Sequence, residues 1–340
     1  MLIHNVKKPY LLLLGDVDNP RNAKTAFGLR DWVPEACLGQ LRFGNKAVDL
    51  GLPDLSPEQA RAAGAQTLVV GIAPPGGRLP DSWHTILLRA LDAGLDLAAG
   101  LHQRLAELPQ IAARAAELGR QIHDVRHNGT EFPVGSGVRR TGRRLLTVGT
   151  DCALGKKYTA LAIAKAMTAR GLKADFCATG QTGILISGRG VAVDAVVADF
   201  IAGAAESLSP ANEPDHWDVI EGQGSLFHPA YAGVTLGLLH GSQPDALVLC
   251  HDPTRVSLHS FPHVPIVSPE EAMPAYLSAA RLTNPNVRFV GISLNTSGMT
   301  EPQARDTLSG TSRSLRLPCV DPLRTGVDVI VDALETAHAG

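Results

Sequence analysis

The stretch that decides the fold is Gly149-Thr150-Asp151-Cys152-Ala153-Leu154-Gly155-Lys156-Lys157. Residues 145–148 before it form an apolar run with the length and β-branched character of a buried strand. After it, the apolar spacing over residues 158–170 predicts a helix that stops at Gly171. A strand, a glycine-bounded loop, a Gly-Lys pair and a helix are the order of the phosphate-binding P-loop. In such a loop, backbone N–H groups and the helix N-terminus surround an anion, and the lysine reaches the outer phosphates.

The loop departs from the common pattern G-x-x-x-x-G-K-[ST] in two ways. Five residues separate Gly149 from Gly155, one more than usual, and Lys157 stands where a hydroxyl would bind Mg²⁺. A second ammonium favours a polyanion but offers no metal ligand, so we expect phosphate binding and no metal site. A turn without a ligand is the alternative interpretation. The predicted cofactor-binding residues are Gly149, Thr150, Asp151, Cys152, Ala153, Leu154, Gly155, Lys156, Lys157, Tyr158 and, after a later strand, Asn295.

Composition limits the function classes that need to be considered. The 340 residues are 44% hydrophobic and 19% charged, which is typical of a globular protein with room for two domains. A net charge of -2 gives no electrostatic footprint for nucleic acid or a membrane surface. The five cysteines are scattered without a C-x-x-C pair, which favours a reducing cytoplasm over a disulfide framework. The apolar run at residues 10–14 is too short for a signal peptide or a membrane span. We expect a small-molecule partner and a homo-oligomer.

The pattern predicts an α/β protein with two domains. Residues 1–140 form the first, a Rossmann-like α/β domain without the G-x-G-x-x-G fingerprint, with strands at 10–14 and 67–72 and helices at 81–93 and 101–117. The second strand is followed by the turn residues Pro74, Pro75, Gly76 and Gly77. Residues 128–144, rich in glycine and arginine, are the expected linker; its arginines either add to the anion field of the loop or are solvated.

The second domain, residues 141–340, is predicted to be P-loop NTPase-like, with a doubly wound parallel sheet. After the first strand, further strands are predicted at residues 174–178, 219–220, 246–250, 287–294 and 319–320. Each is followed by a polar or glycine-rich loop. Because the carboxyl ends of parallel strands meet at one edge of a sheet, these loops are expected to gather beside the phosphate loop.

Three residues are candidates for the catalytic base. Glu221 follows a strand and precedes Gly222 and Gly224, where P-loop proteins place a metal ligand or an activating carboxylate; a loop cap is the alternative. Asp194, downstream of a glycine-rich turn, either reaches the site or lies on the surface. His251 follows a buried strand, and its alternative is a structural role.

Several motifs in one order resemble a bacterial two-domain P-loop family, formerly of unknown function, that includes a D-glutamate N-acetyltransferase. The motifs are KTAFGLRDW, GTDCALGKKYTAL, ATGQTGILISG, EGQGSLFHPAY, HGSQPDALVLCHDPTR and GISLNTS, and they cover nearly the whole chain. The loop and the Glu-Gly-x-Gly strand end are also similar to dethiobiotin synthetase, more distantly, although Lys157 replaces the hydroxyl that this enzyme needs for Mg·ATP.

The resemblance implies acetyl transfer from acetyl-CoA to the amine of D-glutamate. Coenzyme A carries a diphosphate, which suits a loop with two lysines, and backbone N–H groups of GQGS or GQTG would stabilise the oxyanion. The expected substrate-binding residues are Lys24, Arg30, Gln181, Thr182, Arg189, Gln223, Ser225 and Arg255, with Arg324 as a further cation. Two alternatives stay open: an ATP- and Mg-dependent ligase or kinase of the dethiobiotin synthetase type, and a nucleotide-binding switch that acts on a protein partner.

Overall fold

The computed structural model describes residues 5–74 and 77–336, and within them the chain divides into two compact units. The first unit contains the chain up to Gly129 together with Gly180–Ala195. The second contains Thr130–Thr179 together with the chain from Val196 onward. Pro75 and Gly76, which belong to the turn predicted after the second strand, lie outside the described residues.

The first unit is built on a sheet of five parallel strands. These are β1 (Tyr10–Gly15), β2 (Cys37–Arg42), β3 (Thr67–Val70), β4 (Asp96–Ala99) and β5 (Ile122–Asp124). Their order in the sheet is β2-β1-β3-β4-β5. All residues of β1, β3 and β4 are buried, as expected for a parallel sheet that is covered on both faces.

Short helices connect these strands. They are α1 (Lys24–Trp32), α2 (Pro57–Ala62), α3 (His84–Asp92) and α4 (Pro109–Leu118), with 3-10 turns at Pro20–Ala23, Pro34–Ala36, Asp81–Trp83 and Leu105–Glu107. The helix predicted at 101–117 is wrong in its first half, because Pro109 has no N–H to donate and therefore begins the α-helix.

The second unit carries a sheet of six parallel strands and a two-stranded antiparallel hairpin. The sheet strands are β6 (Arg143–Gly149), β7 (Ala174–Cys177), β8 (Trp217–Ile220), β9 (Ala246–His251), β12 (Arg288–Leu294) and β13 (Cys319–Val320), and the hairpin strands are β10 (Ser257–Leu258) and β11 (Phe261–Pro265). The six strands follow the order β13-β12-β9-β6-β8-β7. All six strands predicted for this domain are therefore confirmed, with ends shifted by at most two residues.

The helices of this half of the chain are α5 (Lys156–Ala169), α6 (Gln181–Ser187), α7 (Ile201–Leu208), α8 (Ala232–Ser242), α9 (Pro269–Ala280), α10 (Glu301–Leu315) and α11 (Asp328–Thr336). Short 3-10 turns lie at Val193–Ala195 and Ala198–Phe200. Of these helices, α6 belongs to the first unit, where it packs against α1. None of the helices within the described residues is long and apolar enough to cross a lipid bilayer.

The phosphate loop lies at the point where the order of the sheet reverses. From β6 the chain moves to β7 and β8 on one side and then to β9, β12 and β13 on the other. Open α/β sheets bind ligands at such a switch point, outside the carboxyl ends of the strands. The topology therefore places the loop after Gly149 between the ends of β8 and β9.

The arginines of the expected linker have structural partners. Arg144 is completely buried and donates to the backbone oxygen of Thr141 at 2.8 Å, and Arg140 donates to that of Gly241 at 2.8 Å. Arg144 is separated from Gly149 by on the order of 16 Å along β6. Neither interpretation of these two arginines is correct, because they are neither solvated nor near the anion site; they satisfy carbonyls at the amino end of the sheet.

Candidate active site

The carboxylate of Asp151 organises the phosphate loop from within. Its side chain is buried, and Oδ1 accepts the N–H of Cys152 at 2.6 Å. Oδ2 accepts two hydrogen bonds, one from Nη1 of Arg255 and one from the N–H of His259, each at 2.7 Å. Three donors satisfy this buried charge, so the carboxylate fixes the path of the loop.

Arg255 also forms hydrogen bonds with the backbone of the loop. Its guanidinium donates to the backbone oxygens of Cys152 at 2.8 Å and Ala153 at 2.7 Å. These carbonyls therefore point toward Arg255, and Ala153 adopts a left-handed conformation with φ of 52°. Arg255 serves the loop in this structure; the contact with substrate expected from the sequence stays a prediction.

Lys156 is the first residue of α5 and points into its own loop. Its side chain is only 6% exposed, and Nζ donates to the backbone oxygen of Asp151 at 2.7 Å. Burial lowers the pKa of this ammonium, although nearby Cys152 favours its charge. An anion bound in the loop would stabilise the charged form. Lys157 is half-buried, with Nζ 5.3 Å from the ring centre of Tyr158.

His251 ends β9 beside the loop. Its Nδ1 shares a hydrogen bond of 2.8 Å with Oγ1 of Thr150. Burial lowers the pKa of His251, against the opposing effects of Asp252 and Glu270. The imidazole is therefore neutral at pH 7, and one of its nitrogens is already engaged with the loop.

Glu221 follows β8 on the other side of the loop. Its side chain is 4% exposed, and Oε2 accepts the N–H of Thr179 at 3.1 Å. The next residue, Gly222, lies so close to β6 that an added Cβ would be 1.7 Å from the oxygen of Thr147. Nε2 of Gln223 donates to Oγ1 of Thr179 at 3.0 Å. The glycine therefore allows the end of β8 to lie closely against β6, the strand that leads into the loop.

Tyr276, on α9, belongs to the site although the sequence interpretation missed it. Its hydroxyl donates to the oxygen of Gly149 at 2.7 Å and accepts the N–H of Leu226 at 3.2 Å. Burial raises the pKa of Tyr276 to about 12, so the hydroxyl keeps its proton. It thereby joins the start of the loop to the segment after Glu221. No local motif marks such a residue, because the contact spans 127 positions.

Asp151, Cys152 and His228 offer one ligand atom each within 4.8 Å of one another. This is the one group of that kind among the described residues. A cation there would compete with the guanidinium of Arg255 for the carboxylate, which disfavours a metal ion. His228 is buried and stacks on Tyr231 with ring centres 4.5 Å apart. The expectation of no metal site stays a prediction.

The remaining predicted residues of the second unit have structural contacts. Ser225 is buried and its Oγ accepts the N–H of Phe227 at 3.2 Å. Oδ1 of Asn295 accepts the N–H of Ser297 at 3.1 Å, so this side chain shapes its own turn. The second unit contains the loop, Glu221, His251, Gln223, Ser225, Arg255 and Asn295.

The other predicted residues belong to the first unit: Lys24, Arg30, Gln181, Thr182, Arg189 and Asp194. Thr182 is buried, with its hydroxyl 3.1 Å from that of Thr25, where α6 meets α1. Arg30 pairs with the adjacent Asp31, and Asp194 pairs with Arg126. Lys24 is exposed and Arg189 half-buried. Their roles toward a ligand stay predictions.

We expect the free energy of unfolding to fall as the pH drops from 7.5 to 5.5. Burial lowers the pKa of His251, and also that of His123, below the ordinary value of 6.5. The unfolded chain therefore binds more protons than the native one below about pH 6.5, so stability is lost as the pH falls. Urea unfolding at both pH values measures this, and His251→Asn should reduce the difference. A free energy of unfolding that is constant or higher at pH 5.5 would contradict the conclusion that these histidines are held neutral in the folded protein.

Comparisons with known proteins agree with this architecture. Residues 43–128 match the Rossmann-like domain of DUF1611, a domain of unknown function, and residues 133–331 match the P-loop domain of the same family. A D-glutamate N-acetyltransferase from Tritonibacter scottomollicae is 49% identical over 329 residues, covering 97% of this chain and 99% of the relative. Another from Pseudoalteromonas is 48% identical, covering 96% and 98%. A crystal structure of a DUF1611 family protein from Anabaena variabilis superposes with a TM-score of 0.86 at 36% identity, covering 97% of this chain and all of that one.

Proposed function

Because this chain belongs to the two-domain DUF1611 family, and its curated relatives are D-glutamate N-acetyltransferases, we propose that it moves an acetyl group from acetyl-CoA to the amine of D-glutamate. The observation that carries the proposal is the identity of 49% over nearly the full length of both chains. The fold alone would not support this activity, because P-loop and Rossmann-like domains occur in enzymes that catalyse many different reactions.

The phosphate loop is the proposed site for the diphosphate of coenzyme A. The N–H groups at the start of α5 and the ammonium groups of Lys156 and Lys157 supply positive charge without a metal ion. The ion pair of Asp151 with Arg255 holds the loop in one conformation, which reduces the entropy that binding costs.

Glu221 is the proposed general base. The ammonium of the amino acid must lose a proton before its nitrogen attacks the thioester carbon and displaces the thiolate of coenzyme A. Glu221 is a buried carboxylate at the end of the strand next to β6, and its Oε2 accepts the N–H of Thr179. Of the two candidate carboxylates, Glu221 belongs to the same unit as the phosphate loop and Asp194 does not. Backbone N–H groups of Gln223 and Gly224 are proposed to stabilise the oxyanion.

The proposal is tested by incubating the protein with acetyl-CoA and D-glutamate in the presence of EDTA. We expect release of free thiol and formation of N-acetyl-D-glutamate, detected by mass spectrometry, with no loss of rate from chelation. Turnover of ATP that strictly requires Mg²⁺ would instead support a kinase or ligase. Nucleotide-dependent assembly without a small-molecule product would support a switch protein.

Lys157→Thr tests why the loop would prefer coenzyme A to Mg·ATP. The substitution restores the hydroxyl that ligates Mg²⁺ in the common pattern, so we expect a gain of Mg·ATP binding in calorimetry. Lys157→Ala is the matched control, because it removes the ammonium without adding a ligand. If neither variant binds Mg·ATP, the extra residue between Gly149 and Gly155 excludes it instead.

We also propose that the enzyme works in the cytoplasm. All five cysteines are free thiols, and three of them, Cys37, Cys177 and Cys250, are buried. Free thiols in this number are typical of a reducing compartment.

A further inference from the structure

The first unit contains a cavity of about 430 Å³ at the carboxyl ends of β3, β4 and β5. Pro74 follows β3, Gly100 and His102 follow β4, and Arg126 follows β5. Gln181, the first residue of α6, closes one side. Parallel α/β sheets bind their ligands at this edge, and the volume is sufficient for an amino acid.

Arg126 is the one charged side chain among the described residues that line this cavity. It is 12% exposed, and its Nη2 pairs with Asp194. Nε and Nη1 have no protein partner among the described residues. Nη2 has a second N–H, and together with that of Nε or Nη1 it forms an edge of this largely buried guanidinium that can bind a carboxylate with two parallel hydrogen bonds.

Two neutral polar groups accompany the arginine. An added Cβ at Gly100 would lie 2.4 Å from Cβ and Cγ of Gln181, so the glycine makes room for this amide side chain. Desolvation, with Arg126 nearby, lowers the pKa of His102, which leaves the imidazole neutral at pH 7. The cavity thus offers one cation and two neutral hydrogen-bonding groups.

We propose that this cavity, lined by Arg126, Gln181 and His102, is the pocket for the amino-acid substrate, with Arg126 binding one of its carboxylates. The assignment rests on the proposed function for the identity of the substrate.

The test compares the wild type with Arg126→Lys and Gln181→Leu in the full-length protein. Arg126→Lys keeps the positive charge that pairs with Asp194 but loses the parallel N–H groups of the guanidinium. Gln181→Leu removes the amide and leaves the ion pair between Arg126 and Asp194 intact. We expect the KM for D-glutamate to rise at least tenfold for Arg126→Lys and about threefold to tenfold for Gln181→Leu. The KM for acetyl-CoA should stay within twofold. Arg104→Lys, a 49% exposed arginine that pairs with Glu107, is the matched control.

Calorimetry with D-glutamate alone separates the pocket from the reaction. Wild type should bind D-glutamate without an acetyl donor, and Arg126→Lys should weaken binding at least tenfold. If the wild type acetylates D-glutamate but both variants keep its KM unchanged, the pocket assignment is overturned and the proposed function stands. If the wild type shows no transferase activity but binds D-glutamate through Arg126, the proposed function fails and the pocket stands.

Discussion

Replacing Lys156 with alanine is expected to raise the KM for acetyl-CoA by about 30- to 150-fold. A hydrogen bond between charged groups contributes about 2 to 3 kcal/mol, and each 1.4 kcal/mol is about a factor of ten in affinity. The KM for D-glutamate should change much less, because the loop is assigned to the cofactor. Steady-state kinetics with each substrate varied in turn measures both constants.

Lys165→Ala is the control for this variant. Lys165 is exposed on the same helix, α5, so its loss tests the effect of removing a charge from the helix without changing the loop. Lys156→Gln provides a second variant, since its amide can still donate to the oxygen of Asp151. If both Lys156 variants keep the wild-type KM for acetyl-CoA, the phosphate loop is not the cofactor site.

Glu221→Gln is expected to lower kcat by about 10²- to 10⁴-fold, the usual contribution of a general base. The amide keeps the size of the side chain and can still accept the N–H of Thr179, so the melting temperature should change little. The KM values should stay close to wild type, because the substitution removes proton transfer and leaves the loop intact. Initial-rate assays of thiol release measure kcat and KM, and thermal unfolding measured in parallel gives the melting temperature.

His251→Asn and Asp194→Asn complete the comparison. Each removes one of the other two candidate bases while keeping a similar shape. We expect a smaller loss of kcat from either, because the proton transfer is assigned to Glu221. A Glu221→Gln enzyme with nearly normal kcat, alongside an inactive His251 or Asp194 variant, would assign the base to that other residue.

The sequence predicts β6, the phosphate loop and α5, because the conformation of each depends on residues that are close together in the chain. Residues 145–148 combine two leucines with the β-branched Thr147 and Val148, and Gly155 adopts φ of 107°, which a glycine tolerates. The strands β2, β4 and β5 were not predicted. In β2, Gly39 and Gln40 interrupt the apolar pattern, and the strand exists because β1 offers it a parallel partner.

Some residues of the candidate site are predicted from the sequence, and others are found only in the structure. Glu221 and His251 were identified from their place after predicted strands, and the parallel sheet puts both beside β6. Tyr276 and Arg126 were missed, since nothing near them in the chain marks a role. The substrate contact predicted for Arg255 stays a prediction, and the structure adds an ion pair with Asp151 across 104 positions that the sequence does not indicate.

The sequence by itself determined the two-domain α/β class, the phosphate loop and the family, because these follow from local periodicity and from motifs in a fixed order. Only the tertiary structure decided that α6 belongs to the first unit, that Asp151 and Arg255 hold the loop, and that Arg126 lines a cavity. These features depend on contacts between distant parts of the chain. Such contacts form because burying a charged or polar group requires a partner, and local sequence does not specify which distant residue supplies it.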